Sequence, residues 1–363
     1  MRVLLTGATG FLGWHTRVRL RALTDHEIIV ADRGSWTKLT ELMRGVDAVI
    51  HCAGVNRGTD YEVEHGNITL ARDVVAALRH SGARPRIIFA NSIQIGNGTP
   101  YGTGKETAGR LLADAAREHG LDFVDIHLPN LFGEHGVPNY NSFVATFVNA
   151  VVSDQQPIIS DKEVALLHAQ VAAQSLIDAL STDQSILRPE GTRTTVQAVY
   201  DLLRKFNKLY DAGDIPPLMS DLDLDLFNTL RATRFPSRYP IMLAPRSDSR
   251  GTLVEVVRAH GGQGQTFIST TKPGITRGDH FHLRKVERFV VVGGTARISI
   301  RKVFSEEVVS FDVTGDAPVI VDMPTMWVHN ITNIGTTELT TLFWTNELFD
   351  PSAPDTYPEA VQL

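Results

Sequence analysis

Apolar residues cluster along the first third of the chain in short, nearly continuous runs, and helical spacings fall between them. Arg2-Val-Leu-Leu-Thr6 predicts a buried strand, and Trp14 to Leu23 predicts a helix. Glu27-Ile-Ile-Val-Ala31, Asp47-Ala-Val-Ile-His51 and Pro85-Arg-Ile-Ile-Phe-Ala90 predict three more strands. Helices are expected over Asn67 to Ser81 and from Tyr101 to about His119. Strands apolar on both faces, alternating with helices, are the pattern of a parallel sheet covered on both sides. Thr195 to Leu209 reads as an amphipathic helix with Val199, Leu202, Leu203 and Phe206 on one face. Asp221 to Leu226 alternates like a strand, and reads equally as a helix start because Leu230 extends an apolar face. Arg231 to Pro240, with Pro236 and Pro240, reads as the connection between domains.

From Ile241 the period changes. Short alternating segments follow at Leu253 to Val257, Gln265 to Thr270, Arg288 to Val292, Ala296 to Val303, Glu307 to Val313, Val319 to Asp322 and Glu338 to Thr345. Gly and Asp turns separate them, the signature of an antiparallel sandwich or barrel. The expected fold is an α/β Rossmann-like doubly wound parallel sheet over residues 1–240, followed by an all-β domain over 241–363.

A length of 363 residues agrees with two domains. A formal net charge of -6 without a long basic run excludes binding along a nucleic-acid backbone, but allows a local anion site. The single cysteine, Cys52, excludes an intrachain disulfide and suits a reducing, cytoplasmic compartment. Met1 to Leu12 is largely apolar, but glycines at 7 and 10 make it a strand and turn, not a signal peptide. No apolar run approaches the roughly 20 residues that span a bilayer.

Chemistry first enters at Gly7, Gly10 and Gly13. The order strand, glycine-rich turn, helix, strand, acid is that of a dinucleotide site, where the backbone approaches a pyrophosphate at a helix N-terminus. Gly7, Gly10, Phe11, Leu12 and Gly13 are therefore candidate cofactor residues, with Asp32 and Arg33 at the end of the next strand. Asp32 would accept from a ribose 2′-OH and favours NAD; Arg33 would pair with a 2′-phosphate and favours NADP. The turn Cys52-Ala53-Gly54 follows another strand, where ligands of such sheets sit. Tyr101 and Lys105 share one helix face, and an ammonium beside a phenol lowers its pKa.

TGATGFLG at Thr6 to Gly13, the Cys52 to Gly54 turn, Ser92, and Tyr101 with Lys105 resemble an extended short-chain dehydrogenase/reductase. The resemblance implies that Tyr101 is the general acid and that Ser92 helps hold a carbonyl. Lys105 would lower the Tyr101 pKa and bind the nicotinamide ribose. Pro129, opening Pro129-Asn-Leu-Phe-Gly133, joins the cofactor set. Asn130, Asn139 and Asn141 are candidate donors to a nucleotide-sugar, or loop-formers and helix caps. Gln170-Val-Ala-Ala173 stands where extended reductases often carry an aromatic-hydrophobic-Asp-Asp run, a departure expected to change helix capping.

The second chemical cluster is His280, His282 and Glu287, bracketed by Gly274 and Gly294. Residues two apart in a strand share a face, so two imidazoles and a carboxylate make three ligands for a divalent metal. This spacing resembles the first cupin motif, and Pro324, His329, Asn333 resembles the second. The resemblance implies a cupin barrel with His280, His282, Glu287 and His329 as ligands. Four protein ligands would make a closed structural site, and three an open one. Met326 stands where cupins have glycine, which is expected to reshape the turn. Lys285 and Asp279 are candidate acid/base groups.

SIQ at Ser92 to Gln94, PNLFG, PNYNS, PGIT and the run from Trp344 to Tyr357 resemble the CapF-type family of bifunctional capsular polysaccharide enzymes, along nearly the whole chain. That resemblance implies a homodimer using NADPH and zinc on a UDP-2-acetamido-2,6-dideoxy-4-hexulose. The cupin inverts C3, and the reductase then reduces the C4 ketone to a UDP-2-acetamido-2,6-dideoxy-L-talose, on the route to N-acetyl-L-fucosamine. Two alternatives stay open: the same chemistry on another 4-keto sugar nucleotide, and a non-catalytic nucleotide-sensing module.

Overall fold

The protein is described by a computed structural model over residues 1–362, in which the chain forms two compact units. One comprises Met1–Phe143 and Asp161–Val196, the other Val144–Ser160 and Gln197–Leu363. Among the described residues no helix is long and apolar enough to cross a membrane.

In the first unit, β1 (Arg2–Thr6), β2 (Glu27–Ala31), β3 (Ala48–His51), β4 (Arg86–Ser92) and β5 (Phe123–Leu128) are joined by helices and pair in parallel. The helices are α1 (Phe11–Leu23), α2 (Leu39–Leu42), α3 (Asp60–Ser81) and α4 (Pro100–His119). Two small pieces, β6 (Asn130–Phe132) and β7 (Glu163–His168), follow α4 and β5. Between them lies α5 (Phe143–Val152), almost wholly in the second unit, and after β7 come α6 (Ala169–Asp178), β8 (Ile186–Leu187) and β9 (Thr192–Thr195). The main sheet runs β2-β1-β3-β4-β5-β8, with a second sheet of β6-β7-β9. Strand alternation builds both faces. Leu4, Val49, Ile87 and Phe89 pack against Ala71, Val74, Ala108 and Leu112 of α3 and α4. Val3, Leu5, Ile50, Ile88 and Ile126 pack against Leu20 of α1 and Leu176 of α6. This is the doubly wound parallel sheet that the apolar runs predict.

Helix α3 starts seven residues before the expected Asn67, because Thr59 and Glu62 form a reciprocal capping box. In the second unit, α7 (Val196–Asp211) and α8 (Asp221–Arg234) precede the strands. Ser220 accepts from the Asp223 N–H and starts α8 as a helix, which settles the Asp221 to Leu226 ambiguity. The expected connection at Arg231 to Pro240 is corrected at its start. Arg231 to Arg234 complete α8, both arginines are buried, and Arg231 donates to the Met323 carbonyl at 2.8 Å.

The remaining strands are β10 (Ile241–Met242), β11 (Arg246–Asp248), β12 (Gly251–Leu253), β13 (Gln265–Thr271), β14 (Thr276–Phe281), β15 (Glu287–Gly293), β16 (Thr295–Lys302), β17 (Val308–Thr314), β18 (Val319–Met323), β19 (Trp327–Asn333), β20 (Leu339–Thr345) and β21 (Tyr357–Pro358). They form two five-stranded antiparallel sheets, β10-β18-β15-β20-β13 and β17-β16-β19-β14-β21, and a separate β11-β12 hairpin. The strand expected at Leu253 to Val257 is instead the short β12, which ends at Leu253.

Candidate active site and metal centre

The glycine turn is built by close approach. Gly7 has φ 67°, and a Cβ there would lie 2.7 Å from the Ala53 backbone nitrogen. At Gly13 a Cβ would meet the Gly7 carbonyl oxygen at 2.0 Å. Gly10 is the N-cap of α1, so no capping side chain occupies this helix N-terminus, the kind of end at which a pyrophosphate binds. Phe11 and Leu12 are half-buried in the first turn, and Ala53 donates to the Thr6 hydroxyl at 3.3 Å. The donor set therefore fits a dinucleotide. Asp32 Oδ1 accepts the Ser35 N–H at 3.0 Å and its hydroxyl at 2.9 Å. Those bonds hold the Asp32 carboxyl below its ordinary value, while Arg33 is exposed beside it.

Ser92 ends β4, and Thr99 caps α4 so that Tyr101 falls in its first turn and Lys105 one turn later. The Ser92 hydroxyl accepts from the Gln94 N–H at 3.2 Å, and its interaction with the Tyr101 phenol lowers that group's pKa. Lys105 is buried; its Nζ donates to the Ala90 carbonyl and lies 4.1 Å from the Phe89 ring centre. Burial pulls the ammonium down to about 8, with Cys52 and Asp125 acting the other way. Burial raises the Tyr101 pKa, and Ser92 opposes the rise. Burial likewise pushes the Cys52 thiol up to about 12 and His51 down to about 3.

Asp125 and His127 escaped the sequence reading. They occupy alternate positions of β5, 3.0 Å apart, and Asn91 donates to Asp125 at 3.1 Å. Their alternation with Val124 and Ile126 was legible, but not their chemistry. Pro129 lies between β5 and β6. Asn130 donates to the Ala165 carbonyl at 3.3 Å, within the small sheet. Asn139, at φ 55°, offers its carbonyl to Arg57, whose guanidinium lies 5.7 Å from the Tyr140 ring centre. Asn139 and Asn141 are exposed on that loop.

In the second unit His280, His282, Glu287 and His329 converge, with candidate ligand atoms all within 4.8 Å of one another. His280 and His329 face each other across the β14–β19 pair, and Glu287 opens β15 of the other sheet. Nε2 of His282 and of His329 each lie 3.1 Å from Glu287 Oε2, and His280 Nε2 lies at 4.0 Å. The other ring nitrogens explain the orientation. His282 Nδ1 meets the Asp355 carbonyl, and His329 Nδ1 lies 3.1 Å from the Trp327 carbonyl. A carbonyl only accepts, so both Nδ1 atoms carry hydrogen. Two imidazoles fixed this way aim Nε2 at one buried carboxylate, an arrangement that fits a divalent cation. Burial alone would raise the Glu287 carboxyl, but the imidazoles gathered around it, His282 foremost, hold it well below its ordinary value.

Met326 adopts φ 62°, the region a glycine would take, and its N–H donates to the His282 carbonyl at 2.7 Å. Lys285 Nζ is engaged by the Pro354 carbonyl and the Thr356 hydroxyl, and Asp279 Oδ1 accepts from Asn330 at 2.9 Å. Asp355, also outside the sequence reading of the site, accepts three successive backbone N–H groups: Leu283 at 3.0 Å, Arg284 at 3.0 Å and Lys285 at 2.8 Å.

A parallel sheet with a glycine-rich turn, joined to a β unit with a histidine-carboxylate cluster, defines a nicotinamide-dependent epimerase/reductase class with an appended domain. Family models agree: residues 3–172 match the NAD dependent epimerase/dehydratase family, and residues 246–357 match the polysaccharide biosynthesis C-terminal domain. The chain is 31% identical to the UDP-2-acetamido-2,6-beta-L-arabino-hexul-4-ose reductase of Pseudomonas aeruginosa, over 98% of each chain. It is similar at 32% identity to the capsular polysaccharide assembling protein CapF of Staphylococcus aureus, with TM-score 0.65 and coverage of 99% of this chain and 100% of that one. The chain belongs to the family of these two proteins. A UDP-glucose 4-epimerase of Thermotoga maritima, 18% identical with TM-score 0.56, covers 64% of this chain and 99% of its own, and shares the fold.

Proposed function

We propose that the chain is a bifunctional sugar-nucleotide enzyme. It would invert C3 of a UDP-2-acetamido-2,6-dideoxy-4-hexulose and reduce its C4 ketone to a UDP-2-acetamido-2,6-dideoxy-L-talose, on the route to N-acetyl-L-fucosamine. The observation that carries the reading is the presence in one chain of the Ser92–Tyr101–Lys105 set beside a glycine turn and of a four-residue ligand cluster. The name of the Pseudomonas aeruginosa relative supports the substrate class. Reduction is assigned to residues 1–240 and epimerisation to a cupin domain over 241–363, in a cytoplasmic homodimer.

NADPH, when bound, supplies the hydride. Gly7, Gly10, Phe11, Leu12, Gly13, Cys52, Ala53, Gly54 and Pro129 would hold the dinucleotide; the exposed Arg33 favours its 2′-phosphate, with Asp32 engaged by Ser35. Tyr101 delivers a proton to the C4 oxygen, Ser92 orients that oxygen, and Lys105 binds the ribose while holding a positive charge near the phenol. Asn130, Asn139 and Asn141 would line the approach of the sugar diphosphate. His280, His282, Glu287 and His329 would hold zinc, which supplies positive charge to the β unit when bound. The C4 ketone acidifies the C3 proton, so one carbonyl activates both steps. Reduction then draws the epimerisation forward by removing its product.

The test is incubation with the UDP-linked 4-keto sugar and NADPH in deuterated water, followed by NMR. Deuterium at C3 and reduction at C4 are expected. Absence of both NADPH oxidation and C3 exchange overturns the proposal, and preference for a dTDP-linked substrate redirects it to another pathway.

A further inference from the structure

We propose that Asp355, with the segment from Pro354 to Val361, is the positioning element of the metal centre. It acts through His282, and the inference rests on the metal reading above. One residue grips the turn after β14 twice. Its carboxylate accepts the N–H groups of Leu283, Arg284 and Lys285, and its carbonyl accepts from His282 Nδ1. The first contact fixes the backbone that carries His282; the second fixes the ring's tautomer and leaves Nε2 to the cation. Asp355 itself has φ 43°, a left-handed conformation that a non-glycine residue keeps only when its surroundings hold it.

The surroundings do so along the whole segment. Lys285 Nζ donates to the Pro354 carbonyl. Tyr357 and Pro358 pair with Phe281 and His280, so β21 lies directly on the ligand-bearing strand. The Glu359 N–H donates to the Asp279 carbonyl at 3.0 Å, and the Val361 N–H to its Oδ1 at 3.1 Å. Arg301, buried, donates to the Val361 carbonyl at 2.8 Å, to Glu359 at 2.9 Å and to the Ala360 carbonyl at 2.7 Å. A ligand held by a segment some 70 residues away in sequence makes metal affinity depend on that segment's docking. By linkage, docking must depend equally on the metal.

The experiment measures zinc affinity of the full chain by competition with a chromophoric chelator. Asp355→Ala removes the carboxylate that holds the 283–285 N–H groups but keeps the main-chain carbonyl that His282 Nδ1 meets, so it is expected to weaken binding by about 10-fold, the lower end of the usual effect of loosening a ligand's outer partner. Asp355→Asn keeps an acceptor oxygen and should fall between. Hydrogen–deuterium exchange on the unmodified protein supplies a second measurement that needs no variant. Chelation should speed exchange in 354–361 and at the 283–285 amides together. Unchanged affinity in both variants, or loss of zinc with no change in exchange of 354–361, overturns the inference. If the unmodified protein binds no zinc, the metal reading itself fails.

Discussion

In the N-terminal unit one buried ammonium, Lys105, is met by neutral groups, the Ala90 carbonyl and the Phe89 ring. In the C-terminal unit one buried carboxylate, Glu287, opens a strand of one sheet and is met by imidazoles from β19 of the other and from the turn after β14. The first arrangement leaves a charge under desolvation and brings its pKa to about 8, where a proton is readily exchanged. The second gathers every potential ligand around the charge, which suits holding a cation more than moving a proton. Burial thus serves opposite ends in the two regions, and substitutions should separate them.

The largest effect is expected for Tyr101→Phe. Ketone reduction should fall by about 10²–10⁴-fold, the usual worth of a positioned general acid, while C3 exchange continues. Loss of both by the same factor would break the division of labour. Next comes Lys105→Met. The folded Lys105 titrates near 8, below its ordinary 10.5, so between those values the unfolded chain binds more protons and stability rises with pH. Removing the charge should therefore stabilise the protein at pH 7, by up to about 3 kcal/mol, and lower reduction less than Tyr101→Phe does. Denaturant melts of both proteins should converge toward pH 10. In the unmodified enzyme, reduction should decline above about pH 8. Gly13→Ala should cost about 1–3 kcal/mol and weaken NADPH binding, because the new methyl meets the Gly7 carbonyl; fluorescence titration reads this directly. The smallest effect is Thr99→Ala. Uncapping α4 should cost about 1 kcal/mol in a thermal melt and leave zinc affinity unchanged.

Much of the parallel sheet was readable because its strands are apolar on both faces and its turn needs glycines, both properties of neighbouring residues. The candidate trio was readable for the same reason: Tyr101 and Lys105 share a helix, and Ser92 ends the preceding strand. Other features depend on distant partners. Arg231 and Arg234 read as polar linker because a lone sequence gives no sign of their partners, the Met323 carbonyl of β18 and Asn207 of α7. Asp355 lies in a run whose resemblance was noted, yet its three N–H contacts join residues about 70 positions apart. The alternation of Asp221 to Leu226 misleads locally, because Ser220 and the apolar residues beyond Leu226 decide for helix.

The core of the second unit contains Asp322 and Arg288, bonded at 2.8 Å and both fully buried. Tyr210 donates to Asp322 at 2.7 Å and shares a 2.6 Å hydrogen bond with Tyr239, while Arg288 donates to the Gly213 carbonyl at 2.7 Å. Three of these partners precede residue 241. An exchange of the β region between relatives that breaks the chain at Ile241 would therefore leave a buried carboxylate and guanidinium short of the groups that satisfy them. A graft that also carries Gln197 to Pro240 keeps the set together, so the portable module is longer than the portion that bears the ligands.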